Sequence, residues 1–161
     1  MADFRTMAGS VGALLKEKGQ TVAVAESSAG GITSAALLAV PGASAYFKGG
    51  GAVYTGDAKK ILMAVSDGAM DEARASTETH ALHLARAARD RLEADWGIGE
   101  TGAAGPTGNR YGDVPGHSCI AVAGPVERVV TVETRDANRG ENMEAFARAA
   151  LALLEACVAE Q

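Results

Sequence analysis

Three short stretches combine residue types at spacings that could do chemistry. The first is AVAESSAGGITSAALLAV (23–40), where Glu-Ser-Ser and two glycines interrupt an apolar run. Taken as strand–turn–helix, it sets Ser27 or Ser28 at or just before a helix N-terminus. The first N–H groups there lack intrahelical partners, and the helix dipole favours negative charge. A phosphate, a carboxylate or the oxyanion of an acyl-transfer intermediate suits such a place, and Gly30 and Gly31 let a ligand approach the backbone closely. An ordinary connection, with one serine as N-cap and the glycines only packing, weighs equally on this stretch alone.

The second stretch is GGGAVYTGDAKK (49–60). Tyr54 and Lys59 span the exit of a strand and the start of a helix, where a lysine is poorly placed for the dipole. Buried beside a serine, Lys59 would lose basicity and serve as general base; for an arbitrary lysine, a solvated position beside Lys60 is commoner. The third is GETGAAGPTGNRYGD (99–113), a long irregular segment of the kind that is functional or mobile in compact domains. Arg110 in it suits a phosphate or a carboxylate, against an equal weight for a solvated arginine on a surface loop.

Other candidates carry less. His80 and His83 lie one helical turn apart without an obvious acidic or cysteine partner, so exposed helix positions are expected and no metal site. His117 precedes a strand and is expected at the end of the sheet on the loop side. Cys119 and Cys157 sit in apolar segments and are expected as reduced core thiols. The dinucleotide pattern G-x-G-x-x-G is not met, and the Tyr/Lys spacing is not the Tyr-x-x-x-Lys of short-chain dehydrogenases.

The elements that must position these residues follow from periodicity. Phe4, Met7, Val11, Leu14 and Leu15 predict an N-terminal helix stopped at Gly19. TVAVAE (21–26) predicts a buried strand, 29–39 a short buried helix ended by Pro41-Gly42, and 46–55 an extended segment. Asp57 is expected to cap a helix through AKKILMAV, and Ser76 a longer one whose Ala81, Ala85, Ala88, Leu92 and Trp96 share a face. Residues 97–106 predict a weak strand, 118–124 and 126–134 a hairpin turning at Gly124-Pro125, and about 139–158 a final helix with Met143, Phe146, Ala150, Leu154 and Cys157 inward.

Alternating elements with a late hairpin predict an α/β three-layer α/β/α sandwich with a mixed β-sheet. The chain has 161 residues, 47% of them apolar and only 4% aromatic, so one domain with close, alanine- and glycine-rich packing is expected. A net charge of −5 without a basic run argues against nucleic acid as partner. No apolar run reaches the length needed to cross a bilayer, and the N-terminus reads as an amphipathic helix rather than a secretory signal. A cytoplasmic location, no membrane partner and a homo-oligomer are the expectations.

In order along the chain, AESSAGG, VPGASAYFKGGGAVYTGDAKK, ETGAAGPTG and PGHSCIAV resemble the C-terminal domain of the competence-damage-inducible CinA proteins. The family pattern is Glu-Ser-Cys-Thr-Gly-Gly, then Val-Pro-Gly-Ser-Ser-Ala-x-Phe, Tyr-Ser-Asn-x-x-Lys and Thr/Ser-Gly-x-Ala-Gly-Pro. The resemblance covers nearly the whole chain and implies a single domain over 1–161, in the stand-alone form. Active members of the family are nicotinamide mononucleotide deamidases, α/β/α sandwiches that hydrolyse the carboxamide and release ammonia without metal or other cofactor.

Carried over, the resemblance implies Ser27 as nucleophile, Lys59 as general base and Tyr54 as the group that orients Lys59. Tyr54 could equally relay the Lys59 proton, and the resemblance further implies backbone N–H groups near Gly30 and Gly31 for the oxyanion, Thr101 in the substrate site, Arg139 for the substrate phosphate, and a pyridine mononucleotide as the small-molecule substrate. The family's Cys-Thr is here Ser28-Ala29, its Asn is Gly56, Met143 stands where a second arginine is usual, and the usual Lys-Pro-Val-Gly loop is replaced over 107–116. Asn109 and Arg110 in that loop are new polar groups for substrate binding. These departures bear on the substrate more than on the chemistry. They keep open an amidase for another small amide, and a family member that kept the pocket as a nucleotide-binding or protein-interaction module.

Overall fold

The computed structural model describes residues 3–161. The N-terminal periodicity gives α1 (Asp3–Lys18), with Val11 and Leu15 fully buried, and Gly19 follows it in the left-handed region at φ +64. β1 (Val22–Glu26) is buried along its whole length, as a strand covered on both faces must be. Next come α2 (Ile32–Leu38), a 3₁₀ turn (Ala43–Ala45) and β2 (Phe47–Ala52). α3 (Gly56–Met63), α4 (Asp67–Glu72) and α5 (Glu78–Arg91) lead to β3 (Trp96–Ala103). β4 (His117–Ala123), β5 (Glu127–Glu133) and α6 (Arg139–Ala159) complete the described residues.

The five strands form one open mixed sheet in the order β2-β1-β3-β4-β5. β1 runs parallel to both β2 and β3, while β3–β4 and β4–β5 are antiparallel. Alternation along the strands sorts the two faces. Val22, Val24, Trp96, Ile98, Ile120 and Val122 pack with residues of α1, α2 and α6. On the other face, Ala23, Ala25, Cys119, Ala121 and Ala123 meet α5, with α3 beyond. The three-layer α/β/α sandwich with a mixed sheet is therefore observed.

The small-residue packing is tightest under α5. A Cβ on Gly97 or Gly99 would overlap the carbonyl oxygens of Ala85 and Ala81, so the α5 backbone lies directly on β3. The other face carries the aromatic residues instead, with Trp96, Tyr46 and Phe146 fully buried; of the two free buried thiols, Cys157 lies on this face and Cys119 on the α5 face.

Several local expectations are corrected. α4 has no counterpart among the expected elements, since it has no buried residue to give it an apolar stripe. Thr55, not Asp57, caps α3 by accepting from Ala58 N–H, and Thr77, not Ser76, caps α5. Trp96 belongs to β3 and pairs with Val22 rather than continuing the α5 face, because Glu93 turns the chain at φ +52. The segment expected as a weak strand is the central one. Its residues 96–101 are buried, and its parallel partner β1 and antiparallel partner β4 flank it.

Candidate active site

The chain leaves β1, returns through β2 on one side, and crosses by α3–α5 to β3 on the other side. The C-terminal end of β1 is thus the point where the connections diverge, the position where open α/β sheets bind ligands. Ser27 is the first residue beyond it.

Two buried glutamates shape the turn that follows. Glu26 accepts hydrogen bonds from Thr33 N–H at 3.1 Å, Ser34 N–H at 2.9 Å and Ser34 Oγ at 2.9 Å, so its carboxylate fills the N-terminus of α2. The helix begins at Ile32, behind Gly30 and Gly31 at φ +69 and +101. Of the two expected placements, at or just before that N-terminus, Ser27 takes the second: it lies in the turn before the helix, and the protein supplies its own anion at the N-terminus itself.

Glu100, fully buried on β3, holds that turn. Its Oε2 accepts from Ser27 N–H at 2.9 Å and Ala29 N–H at 2.8 Å, and its Oε1 accepts from the hydroxyls of Ser28 and, at 2.7 Å, Ser118. Burial raises the Glu100 pKa, while these four hydrogen bonds favour the ionised form and act against it. Each of the four donors is directed at one carboxylate, the pattern of a preorganised scaffold.

Ser27 Oγ makes no hydrogen bond among the described residues, although Ser27 is buried. It lines a cavity of about 450 Å³ together with Tyr54, Lys59, Ser76, Thr101, Asn109 and Arg110. Lys59 is 4% exposed, and burial lowers its pKa, with the Glu100 carboxylate opposing that shift. Its Nζ lies 2.9 Å from His80 Nε2. A second lobe of about 510 Å³ shares Tyr54, Lys59, Arg110 and Tyr111, and adds Gly56, Arg74 and His80.

The remaining predicted residues divide between wall and support. Tyr54 is 62% exposed at the cavity mouth, and its hydroxyl accepts from Arg139 at 3.4 Å. Arg139 also donates to Gly105 O and does not line the cavity. Thr101 Oγ1 accepts from Ser76 N–H at 3.0 Å. Asn109 organises the loop, its amide oxygen accepting from Tyr111 N–H and Asp113 N–H at 3.1 Å each. The Arg110 guanidinium stacks on Tyr111, 5.0 Å from the ring centroid, with Arg74 on the same ring at 4.8 Å.

Gly30 and Gly31 lie outside the cavity wall, and Gly30 N–H donates to Ser27 O at 3.1 Å. Ser28 N–H, by contrast, carries no hydrogen bond among the described residues.

Three site residues escape the sequence. Glu100 sits inside the third stretch singled out, but nothing local marks it as buried. His80 is 2% exposed, which corrects the expectation of an exposed helix position; the missed α4 leads to Ala73, whose carbonyl meets its ring. Ser76 stands at φ +62, unusual for a residue other than glycine, and its hydroxyl accepts from Asn109 at 3.2 Å. Among the described residues, no group of three or more His, Cys, Asp or Glu is arranged to hold a metal ion, and no helix is long and apolar enough to cross a membrane.

The family model described as the CinA C-terminal domain matches residues 4–158. A CinA-like protein of Synechococcus sp. (strain CC9902) is 41% identical over 140 residues, covering 87% of this chain and 33% of that protein. A CinA-like protein of Gloeobacter violaceus is 40% identical over 141 residues, covering 88% of this chain and 33% of that protein. The chain thus spans about a third of the length of these relatives. Among solved structures, the competence/damage inducible protein CihA from Agrobacterium tumefaciens superposes with a TM-score of 0.88 at 29% identity, over 96% of this chain and 94% of its own. A CinA superfamily protein from Klebsiella pneumoniae 700603 shares the fold, with a TM-score of 0.92 at 22% identity over 99% of each chain.

Proposed function

We propose that this chain, which belongs to the CinA C-terminal domain family, is an amidohydrolase that releases ammonia from the carboxamide of nicotinamide mononucleotide through Ser27 and Lys59. One observation carries this reading: an unpaired Ser27 hydroxyl and a buried lysine of lowered pKa line the same cavity at the switch point of the sheet. A serine is a weak nucleophile until a neighbouring base takes its proton, and a lysine becomes such a base when burial disfavours its ammonium.

In the proposed reaction, Lys59 Nζ takes the Ser27 Oγ proton as Oγ attacks the carboxamide carbon. The tetrahedral oxyanion receives the Ser28 N–H, the free donor next to the nucleophile. Collapse breaks the C–N bond, and Lys59 returns its proton to the leaving nitrogen, giving ammonia and an ester on Ser27. Water, deprotonated by the same amine, then hydrolyses the ester and restores the serine. Glu100 keeps the 27–29 turn in place through both halves of the reaction without touching the substrate.

The test is ammonia release from nicotinamide mononucleotide by wild type, Ser27→Ala and Lys59→Ala side by side. Both variants are expected to fall by at least about a thousand-fold. A Ser27→Ala rate equal to wild type refutes the nucleophile. Turnover of another amide in the same assay redirects the substrate, and tight nucleotide binding without turnover by wild type identifies a binding module.

A further inference from the structure

The Lys59–His80 contact has a chemical direction. His80 Nδ1 lies 3.0 Å from Ala73 O. A carbonyl oxygen can only accept, so the ring hydrogen is on Nδ1 and a neutral ring presents the Nε2 lone pair. That lone pair faces Lys59 Nζ at 2.9 Å. Three elements are thereby joined in one chain of contacts, Ala73 at the end of α4 to His80 of α5 to Lys59 of α3. Lys59 Nζ has no other hydrogen-bond partner among the described residues.

A neutral primary amine has two N–H groups and one lone pair. Giving one N–H to His80 restricts a side chain with four rotatable bonds and limits where its lone pair can point. We propose that His80 is a positioning residue of this site: a neutral imidazole that accepts one hydrogen of the Lys59 amine and so turns the amine's lone pair towards the cavity that Ser27 lines. The proposal rests on Lys59 being the base in the reaction above.

The charged surroundings agree with a neutral ring. Burial, and next the charge of Lys59, hold His80 at about 4, with Ala73 O opposing and His83 adding to the shift. Facing Lys59 are Glu100 from β3 and, along the cavity walls, Tyr54, Asp71, Arg74 and Arg110. A lysine ammonium also donates to Nε2, so the same contact favours the charged form, and its loss lets burial lower the Lys59 pKa further.

Two variants separate positioning from packing. His80→Gln keeps an acceptor at a similar reach, and His80→Leu keeps bulk without one. The pH dependence of Lys59 acetylation by acetic anhydride, resolved by mass spectrometry with Lys60 as internal reference, reads the amine directly. In His80→Leu the Lys59 midpoint should move to lower pH, and kcat for ammonia release should fall about 10- to 100-fold with KM nearly unchanged. His80→Gln should recover most of both.

An unchanged Lys59 midpoint in His80→Leu overturns the proposal, as does a folded His80→Gln that behaves like His80→Leu. Should His80→Leu not fold, nitrogen chemical shifts of the wild-type ring decide instead: a proton on Nε2 at pH 7 overturns the proposal, and one on Nδ1 supports it. If wild type hydrolyses no amide, the functional reading fails, while the labelling and ring-shift results still decide the contact.

Discussion

Glu100 has two duties, holding the 27–29 turn and placing a negative charge near Lys59, and two substitutions pull them apart. Glu100→Ala leaves Ser27 N–H, Ala29 N–H and the Ser28 hydroxyl without their acceptor. The Ser118 hydroxyl retains Thr101 O at 3.3 Å. Each orphaned buried donor costs about 1–3 kcal/mol, so three amount to about 3–9 kcal/mol, comparable with the whole stability of an ordinary domain. Glu100→Gln is different in kind. Its amide oxygen can serve both N–H groups, and its NH₂ can donate to the Ser28 and Ser118 oxygens, so about 1 kcal/mol or less is expected.

What Glu100→Gln does remove is the charge. Glu100 is the charge that raises the Lys59 pKa against burial, so the variant removes that opposition and Lys59 titrates at lower pH. A base that loses its proton earlier moves the acid limb of kcat/KM to lower pH. Urea denaturation of both variants, with Lys59 labelling and the rate profile of Glu100→Gln, measures each duty separately. Equal destabilisation by Gln and Ala, or a Lys59 midpoint that stays or rises in Glu100→Gln, refutes the reasoning.

Acidification should weaken the fold through His80. Its pKa is about 4 in the folded chain against 6.5 unfolded, so the unfolded state takes up a proton first as pH falls. The stability is fully present above 6.5 and is lost as pH falls through about 4, about 3 kcal/mol in all. Urea denaturation at pH 7 and pH 4 should show wild type losing that much more than His80→Gln, and equal losses would contradict it. Gly99→Ala should destabilise by about 3 kcal/mol or abolish soluble expression, because its Cβ would meet the α5 backbone at Ala81 and Ala85, which cannot rotate away. Gly9→Ala, with nothing within 4 Å, should instead be neutral or stabilise α1 by up to about 1 kcal/mol in thermal unfolding.

The sequence made legible whatever was encoded locally. Bounded β-branched runs became β1, β4 and β5, and the helical stripes became α1, α5 and α6, because periodicity and burial coincide there. α4 was invisible because it buries no residue, so it has no stripe to detect. Its spacing of four residues beyond Leu92 places Trp96 on the preceding helix, a pattern blind to the left-handed turn at Glu93. Two of the buried polar residues of the site, Glu100 and His80, are hidden for a related reason. Glu100 looks like any charged residue until residues 27–29 and 118 bring it four donors, and His80 looks exposed until Ala73, just past α4, meets its ring. Burial of a charge depends on distant partners, and one-dimensional spacing does not carry those.

The departures from the family pattern acquire different meanings once they are located. The Ser28 hydroxyl donates to Glu100, and Ala29 is buried against Ala104 and Phe146, so these two side chains belong to the support beneath the turn rather than to the cavity wall. Met143 lies against Gly30, where a Cβ would meet its methyl group at 2.6 Å, and so packs behind the same turn. The replaced loop is another matter, since Asn109, Arg110 and Tyr111 all line the cavity. Arg110 has no carboxylate partner among the described residues, and its side-chain hydrogen bond goes to the Tyr111 hydroxyl. Arg139 is already engaged by Gly105 O and Tyr54 Oη. A cation with only a phenol for partner, on a cavity wall, is the one available to an anionic substrate group, while a guanidinium held by a carbonyl must first release it. Under the proposed function, Ser27 and Lys59 carry the family's reaction, and recognition of the rest of the substrate moves to the 107–116 loop.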